Sequence, residues 1–408
     1  MKLLFVTPFV PDERVGHGTA TVSSHLVSHF ARRHDVTVAC FTFSAQEVEL
    51  VHSLRAGGLD IHHVPFPGAR VRAMWARIRS LARTEPYAIG LFQAAAMRRL
   101  LRQLVERSRY DLVQFDTTFA GAYVDVVPVG VKTALVEIDF SVKPLERRYR
   151  RARSLLKRAW YRREWEQMRA YEPRLCRRFD IVLAVAPEDR EELLRLDADL
   201  RIDLFRYGAA PSLFELPMAN GNQQQVLFLG GFLHPPNAEA VQWLAESIVP
   251  LVRAQLPGVR VTCVGADPPD WLRQAAAHAG MVMTGRVPEV APYLSVADVG
   301  VVPLRSGGGV KLKTLEMMAA GRAIVTTTIG IEGIEARAGE HLLVADDAAS
   351  FANAVVRVLK DDTLRMRLGQ QARALVARNH QWAVNLEQLE ADYVALSRAP
   401  YPRVAYAV

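Results

Sequence analysis

Short apolar runs recur along the chain, separated by polar stretches with helical spacing. In the first half the runs predict strands at Lys2–Phe9, Asp35–Phe43, Asp60–Pro65, Asp111–Phe115, Lys132–Ile138, Asp180–Ala186 and Arg201–Tyr207. In the second half they predict strands at Gln225–Gly230, Arg260–Gly265, Met281–Thr284, Val299–Pro303, Ala323–Thr328 and His341–Ala345. Between them, apolar residues three and four apart predict helices, among them Thr19–Arg33, Ser154–Cys176, Asn237–Gln255 and Lys313–Ala320. Continuous Val/Ile/Leu strands alternating with helices mean parallel sheets covered on both faces.

The strands are too many for one sheet and fall into two sets. Between the sets lies "APSLFELPMANGNQQQ", Ala210 to Gln225, rich in Pro, Asn, Gly and Gln and without periodicity. It reads as a linker. The expected fold class is therefore α/β: two Rossmann-like domains, residues 1–210 and 226–382, with parallel sheets facing a central cleft. Residues 211–225 join them, and a last helix around 383–400 packs back on the first domain. Ligands of open α/β sheets sit beyond the carboxyl ends of the strands, so candidate chemistry is sought there.

Composition narrows the class. The 408 residues are half hydrophobic, enough for two cores. The opening apolar run is ended by Pro8 and charges, which suits a first strand and not a signal peptide. No uninterrupted apolar run approaches membrane-spanning length. Cys40, Cys176 and Cys263 are scattered and odd in number, which suits free thiols in a reducing compartment. No His/Cys cluster has metal-ligand spacing, and no metal or other cofactor is expected.

The formal charge of +8 is uneven. Arg147 to Arg178 carries thirteen Lys/Arg against three Glu. In "ARVRAMWARIRSLAR", from Ala69, the residues Val71, Met74, Trp75, Ile78 and Leu81 recur at helical spacing with arginines around them. That pattern suits a helix lying on an anionic membrane surface, and equally a helix packed on its own sheet with its arginines in water. The expected location is cytoplasmic, peripheral on the inner face of the cell membrane. Basic residues are not interleaved with aromatics in a nucleic-acid motif, so no nucleic-acid partner is expected.

The densest chemistry lies in "SGGGVKLKTLEMMAAGRAIVTTTIG", Ser306 to Gly330. Three glycines, Gly307, Gly308 and Gly309, stand between a strand's carboxyl end and a helix. Backbone amides and a helix N-terminus there favour an anion, and glycine lets it approach closely. Lys311 and Lys313 add positive charge, with Lys311 expected nearest the anion, and Arg305 and Thr314 flank the loop. Glu316 offers a carboxylate to two adjacent hydroxyls, as on a ribose. The set fits a nucleotide diphosphate; a tight turn with a Lys313–Glu316 surface ion pair fits the same residues.

This stretch resembles the donor-site signature of the retaining glycosyltransferases of family four, which have the GT-B fold. The likeness runs over nearly the whole chain. "MKLLFVTPFVP" with "GHGTATVSSHLVSHF" is similar to the family's first strand, glycine loop and helix. "DIVLAVAPEDREEL" is similar to the end of its acceptor half, and "VLFLGGFLHPPNAEAVQWLAESIVPLV" to the opening of its donor half. The resemblance implies transfer of a sugar from a nucleotide-sugar donor to a glycan or lipid-linked acceptor with retention of configuration. It implies that Glu316 binds the ribose, and that the leaving phosphate itself helps remove the acceptor's proton.

The chain departs from the family at several positions. The first of the family's two glutamates falls on Gly308, and its Arg and Lys phosphate clamp falls on Gly231 and Pro236. The family's acceptor-side histidine falls on Ile138, between Glu137 and Asp139, of which Asp139 is the better polar candidate. Gly16 and Gly18 stand where the family has paired glycines, with His17 between them as a phosphate or acceptor contact. These losses leave open a non-catalytic nucleotide-binding protein, a sugar-nucleotide epimerase or a phosphorylase on the same fold.

Overall fold

A computed structural model describes residues 1–66, 76–77, 80, 85–138, 141–219 and 223–399. The chain divides into two compact units, Met1–Phe205 with Leu386–Val408, and Arg206–Asn385. Each unit is an α/β layer structure around its own parallel sheet, as the pattern of apolar runs predicts.

The first unit holds a seven-stranded sheet in the order β3-β2-β1-β4-β5-β6-β7. The strands are β1 Lys2–Thr7, β2 Asp35–Thr42, β3 Asp60–Pro65, β4 Leu112–Asp116, β5 Lys132–Glu137, β6 Ile181–Ala184 and β7 Ile202–Leu204. The second unit holds a six-stranded sheet in the order β10-β9-β8-β11-β12-β13. Its strands are β8 Gln225–Leu229, β9 Arg260–Val264, β10 Val282–Gly285, β11 Val299–Val302, β12 Ala323–Thr326 and β13 Leu343–Val344.

Most strands end one to three residues before their apolar runs do. Ile138 and Leu304 follow β5 and β11 and remain buried. Burial, not the hydrogen-bond ladder, keeps those positions apolar. The stretch Asn237–Gln255 predicts one helix, but a π-turn at Leu244–Ile248 divides the helices Pro235–Trp243 and Val249–Gln255. Pro250 has no N–H for the carbonyl four residues back, so the register loosens there.

The last helix, Trp382–Arg398, contributes its residues from Leu386 on to the first unit. Tyr393 is fully buried, stacked on Phe30 at 5.5 Å between ring centres, and its hydroxyl donates to Gln114 Oε1 at 2.8 Å. Glu390 meets His29 Nε2 at 2.8 Å and His34 Nε2 at 3.0 Å. The three cysteines are free and buried. Among the described residues no helix is long and apolar enough to cross a membrane.

Candidate functional site

In each sheet the strand order reverses at one place, between β1 and β4 in the first unit and between β8 and β11 in the second. The loops leaving two such strands diverge and open a crevice. In the second unit these are the loop after β8, from Gly230, and the loop after β11 that holds the three glycines. Gly307 and Gly309 both have positive φ, 111° and 65°, where a side chain is strained. The loop feeds the helix Leu312–Ala319, in whose first turn Thr314 N–H donates to Lys311 O at 2.8 Å, and the amides before it are those a helix start leaves open. The buried side of that helix is Thr314, Leu315, Met317, Met318 and Ala319; Leu312, with which the helix begins, is only half-buried.

The two lysines are used differently. Lys311 precedes the helix and is buried; its ammonium donates to Gly308 O at 3.1 Å and Gly309 O at 2.6 Å, with Glu332 4.0 Å away. It holds the glycine loop from beneath. Lys313 crosses to the first turn of the helix Pro235–Trp243 that follows β8. Its ammonium donates to Asn237 Oδ1 and lies 4.6 Å from the centre of the Phe228 ring. Asn237 is fixed in turn by donating to Gly231 O at 2.7 Å. Burial pulls the Lys313 pKa down from its usual value to about 7; Lys311 lowers it further and Glu316 raises it. This is a poorly solvated cation at the mouth of a switch-point crevice, beside a glycine loop.

Glu239 ties the rim: it accepts from Ser306 Oγ at 2.7 Å and pairs with Arg305 at 3.3 Å, while Arg305 lies over the Trp243 ring at 5.0 Å. Thr314 is fully buried and gives its hydroxyl to Gly330 O at 3.1 Å, which anchors the helix from below. Sequence reasoning missed Asn237, Glu239 and Gly230. Polar residues in "PPNAEA" were the available signal, but which residue across the crevice they meet is not a local property.

In the first unit the loop after β1 ends in Gly16, which has a φ of 76°, His17 and Gly18. His17 caps the first helix, Gly18–Ala31, by accepting from Thr19 N at 3.2 Å, and stacks on Phe9 at 4.4 Å. Burial lowers its pKa. Glu137 ends β5, buried, and accepts from Thr118 Oγ1 at 2.7 Å. Glu172, also buried, lies 3.2 Å from the same hydroxyl and accepts from Ser141 N at 3.1 Å. One hydroxyl has one proton to donate, so the second carboxyl contact is favourable when that carboxyl is protonated. Burial, and then the nearby Glu137 charge, hold the Glu172 pKa well above the usual carboxylate range. Next to this pair Thr117 has a φ of 74°, uncommon for a β-branched residue. Asp139 lies outside the described residues.

Comparison with known proteins places this architecture. A family model described as glycosyl transferases group 1 matches residues 223–361, the strands and loops just described in the second unit. A glycosyl transferase 4-like domain model matches residues 17–208. Each unit of the chain is thus similar to a glycosyltransferase domain. Among curated relatives, a phosphatidyl-myo-inositol mannosyltransferase of Mycolicibacterium smegmatis is 30% identical over 204 residues, 48% of this chain and 51% of that protein. An uncharacterized 44.6 kDa protein in the cps region of Klebsiella pneumoniae is 25% identical over 38% of this chain and 42% of its own length. The chain thus spans about half or less of the length of the curated relatives it matches. Solved structures share the GT-B fold over nearly the full chain. Sucrose-phosphate synthase from Thermosynechococcus elongatus superposes with a TM-score of 0.69 at 17% identity, covering 97% of this chain and 99% of that one. Anabaena HepE, solved with UDP, superposes with a TM-score of 0.67 at 13% identity, covering 97% of this chain and 100% of that one.

Proposed function

We propose that this chain is a group 1 glycosyltransferase that transfers a sugar from a nucleotide diphosphate sugar to an acceptor hydroxyl with retention of configuration. The observation that carries the reading is the Lys313 ammonium, held by Asn237 where the loops after β8 and β11 diverge. The diphosphate lies along Gly307–Gly309 and the first turn of the helix, with Lys313 as its cation. Lys311 serves the site by shaping the loop, and Glu316 takes the ribose hydroxyls. As the bond to the sugar breaks, negative charge grows on the leaving diphosphate. Fixed amides and a desolvated ammonium stabilise that charge without having to reorganise. The leaving oxygen takes the acceptor's proton on the same face of the sugar. No step in this reading requires a metal or other cofactor.

The mannosyltransferase relatives are named for a phosphatidyl-myo-inositol substrate. With the Klebsiella relative named for its cps region, that likeness supports an acceptor in cell-surface polysaccharide or glycolipid assembly, met at the inner face of the membrane. A second reading, a nucleotide-binding protein that no longer transfers, is favoured by Gly308, Gly231 and Pro236 at the family's charged positions. A thermal-shift screen of UDP-, GDP- and dTDP-sugars tests the donor site, because a ligand bound only by the native state raises the melting temperature. A rise with one nucleotide class supports it, and no rise with any overturns it. Binding without release of nucleoside diphosphate, over a panel of glycan and lipid-linked acceptors, selects the second reading.

A further inference from the structure

The basic run of the first unit folds into two helices, Val142–Arg151 and Leu155–Cys176, packed as a hairpin. From Arg147 to Arg163 it carries nine Lys/Arg and no acidic residue. At its turn every residue from Arg153 to Ala159 is exposed. Leu155 and Leu156 stand there with 82% and 85% of their surface in water. Arg148, Arg150, Arg151, Arg153, Lys157 and Arg158 are exposed around them.

Two adjacent leucines in the first turn of a helix bury little among the described residues, so packing there does not account for them. The turn is also braced. Tyr149 of the first helix stacks on Trp165 of the second at 5.8 Å, and Arg158 lies over the Tyr149 ring at 5.4 Å. Apolar side chains at the apex with cations set back along the flanks match the layering of a bilayer surface, where acyl chains lie beneath anionic headgroups. A soluble acidic partner would use the cations but leaves the leucines unexplained.

We propose that this turn docks on an anionic bilayer, with Leu155 and Leu156 entering the acyl boundary and the arginines at headgroup level. The proposal deepens the reading of a membrane-surface acceptor and uses no residue of the donor site. The sequence singles out the stretch from Ala69 to Arg83 as the interfacial helix, with the Arg147–Arg178 run widening the patch; that stretch lies outside the described residues except for Ala76, Arg77 and Ser80.

The test is co-sedimentation of the full chain with vesicles of phosphatidylcholine, alone or with 30% phosphatidylglycerol. Expected is binding that needs the anionic lipid and falls at least tenfold in Leu155→Ser/Leu156→Ser and, separately, in Arg153→Glu/Lys157→Glu. All four positions are exposed, so the variants should keep the wild-type melting temperature and nucleotide-sugar binding. That control separates failure here from failure of the donor reading. Overturning results are no binding to anionic vesicles at low salt, equal binding by wild type and the leucine variant, or retention on heparin without retention on vesicles. The last would make the patch a site for a soluble polyanion.

Discussion

Lys313 and Gly230 share one space. A Cβ built on Gly230 would lie 2.5 Å from the Lys313 ammonium and 2.9 Å from Asn237 Nδ2, so the absence of a side chain after β8 makes room for a cation from another element. Of the family's clamp positions, Gly231 lies in this same loop and Pro236 in the first turn of the helix that follows it. The positive charge they lack is brought in from the helix Leu312–Ala319.

Gly230→Ala is therefore expected to act as a donor-site substitution although it removes no chemical group. The methyl displaces the ammonium from Asn237. Nucleotide-sugar affinity, read by calorimetry, should fall toward that of Lys313→Ala while secondary structure is kept. Wild-type affinity in this variant would contradict the assignment.

Lys313→Met and Lys311→Met should separate. Lys313 is a desolvated ammonium in the free protein, so replacing it should leave the melting temperature unchanged or raised while affinity falls by about 1.5–3 kcal/mol, the range for a hydrogen bond to a charged group. Lys311 satisfies two loop carbonyls, so its loss should lower the melting temperature as well as affinity. A drop in melting temperature for both, or for neither, would count against the division of labour.

The pH dependence follows from the lowered Lys313 pKa of about 7. A bound diphosphate favours the charged amine, so above pH 7 binding must take up a proton and affinity should weaken. A nucleotide sugar, whose phosphates do not titrate there, is the right probe. Calorimetry in buffers of different ionisation enthalpy at pH 8 should show net proton uptake, absent in Lys313→Met. The stability of the free protein moves the opposite way. The unfolded lysine binds its proton up to about pH 10.4 while the folded one releases it near 7, so this group's penalty is full below pH 7 and is relieved as pH rises.

Glu316→Ala should weaken nucleotide-sugar binding by about 1.5–3 kcal/mol if its carboxylate takes the ribose hydroxyls. Comparing nucleotide with free pyrophosphate sharpens the test. Equal losses for both ligands would place Glu316 in the support of the loop and not at a ribose.

Arg322→Ala should destabilise the second unit without touching the donor directly. The fully buried guanidinium donates to Ala320 O at 2.9 Å, Ala297 O at 3.1 Å and Pro217 O. Arg373 also reaches Ala320 O, at 2.8 Å, so two carbonyls lose a partner, at about 1–3 kcal/mol each. Urea unfolding should show the loss in this unit's transition.

The sequence by itself determined the two sheets, because most inner strands are apolar runs buried on both faces and parallel strands advertise themselves that way, while the edge strands β3, β7, β10 and β13 are only partly covered. All thirteen expected strands lie where the runs lie. It also marked the glycine loop, since positive φ at Gly307 and Gly309 is a local demand on the backbone. Only the tertiary structure decided which lysine reaches across to the β8 loop. Lys311 and Lys313 look alike in sequence, but helix geometry points one under its own loop and the other at Asn237. It likewise decided that Thr314 faces inward to Gly330, that Glu137 and Glu172 meet over one hydroxyl, and that Leu155 and Leu156 stand in water. Each depends on side chains far apart in sequence or on what a neighbouring element fails to cover, and no local pattern carries that information.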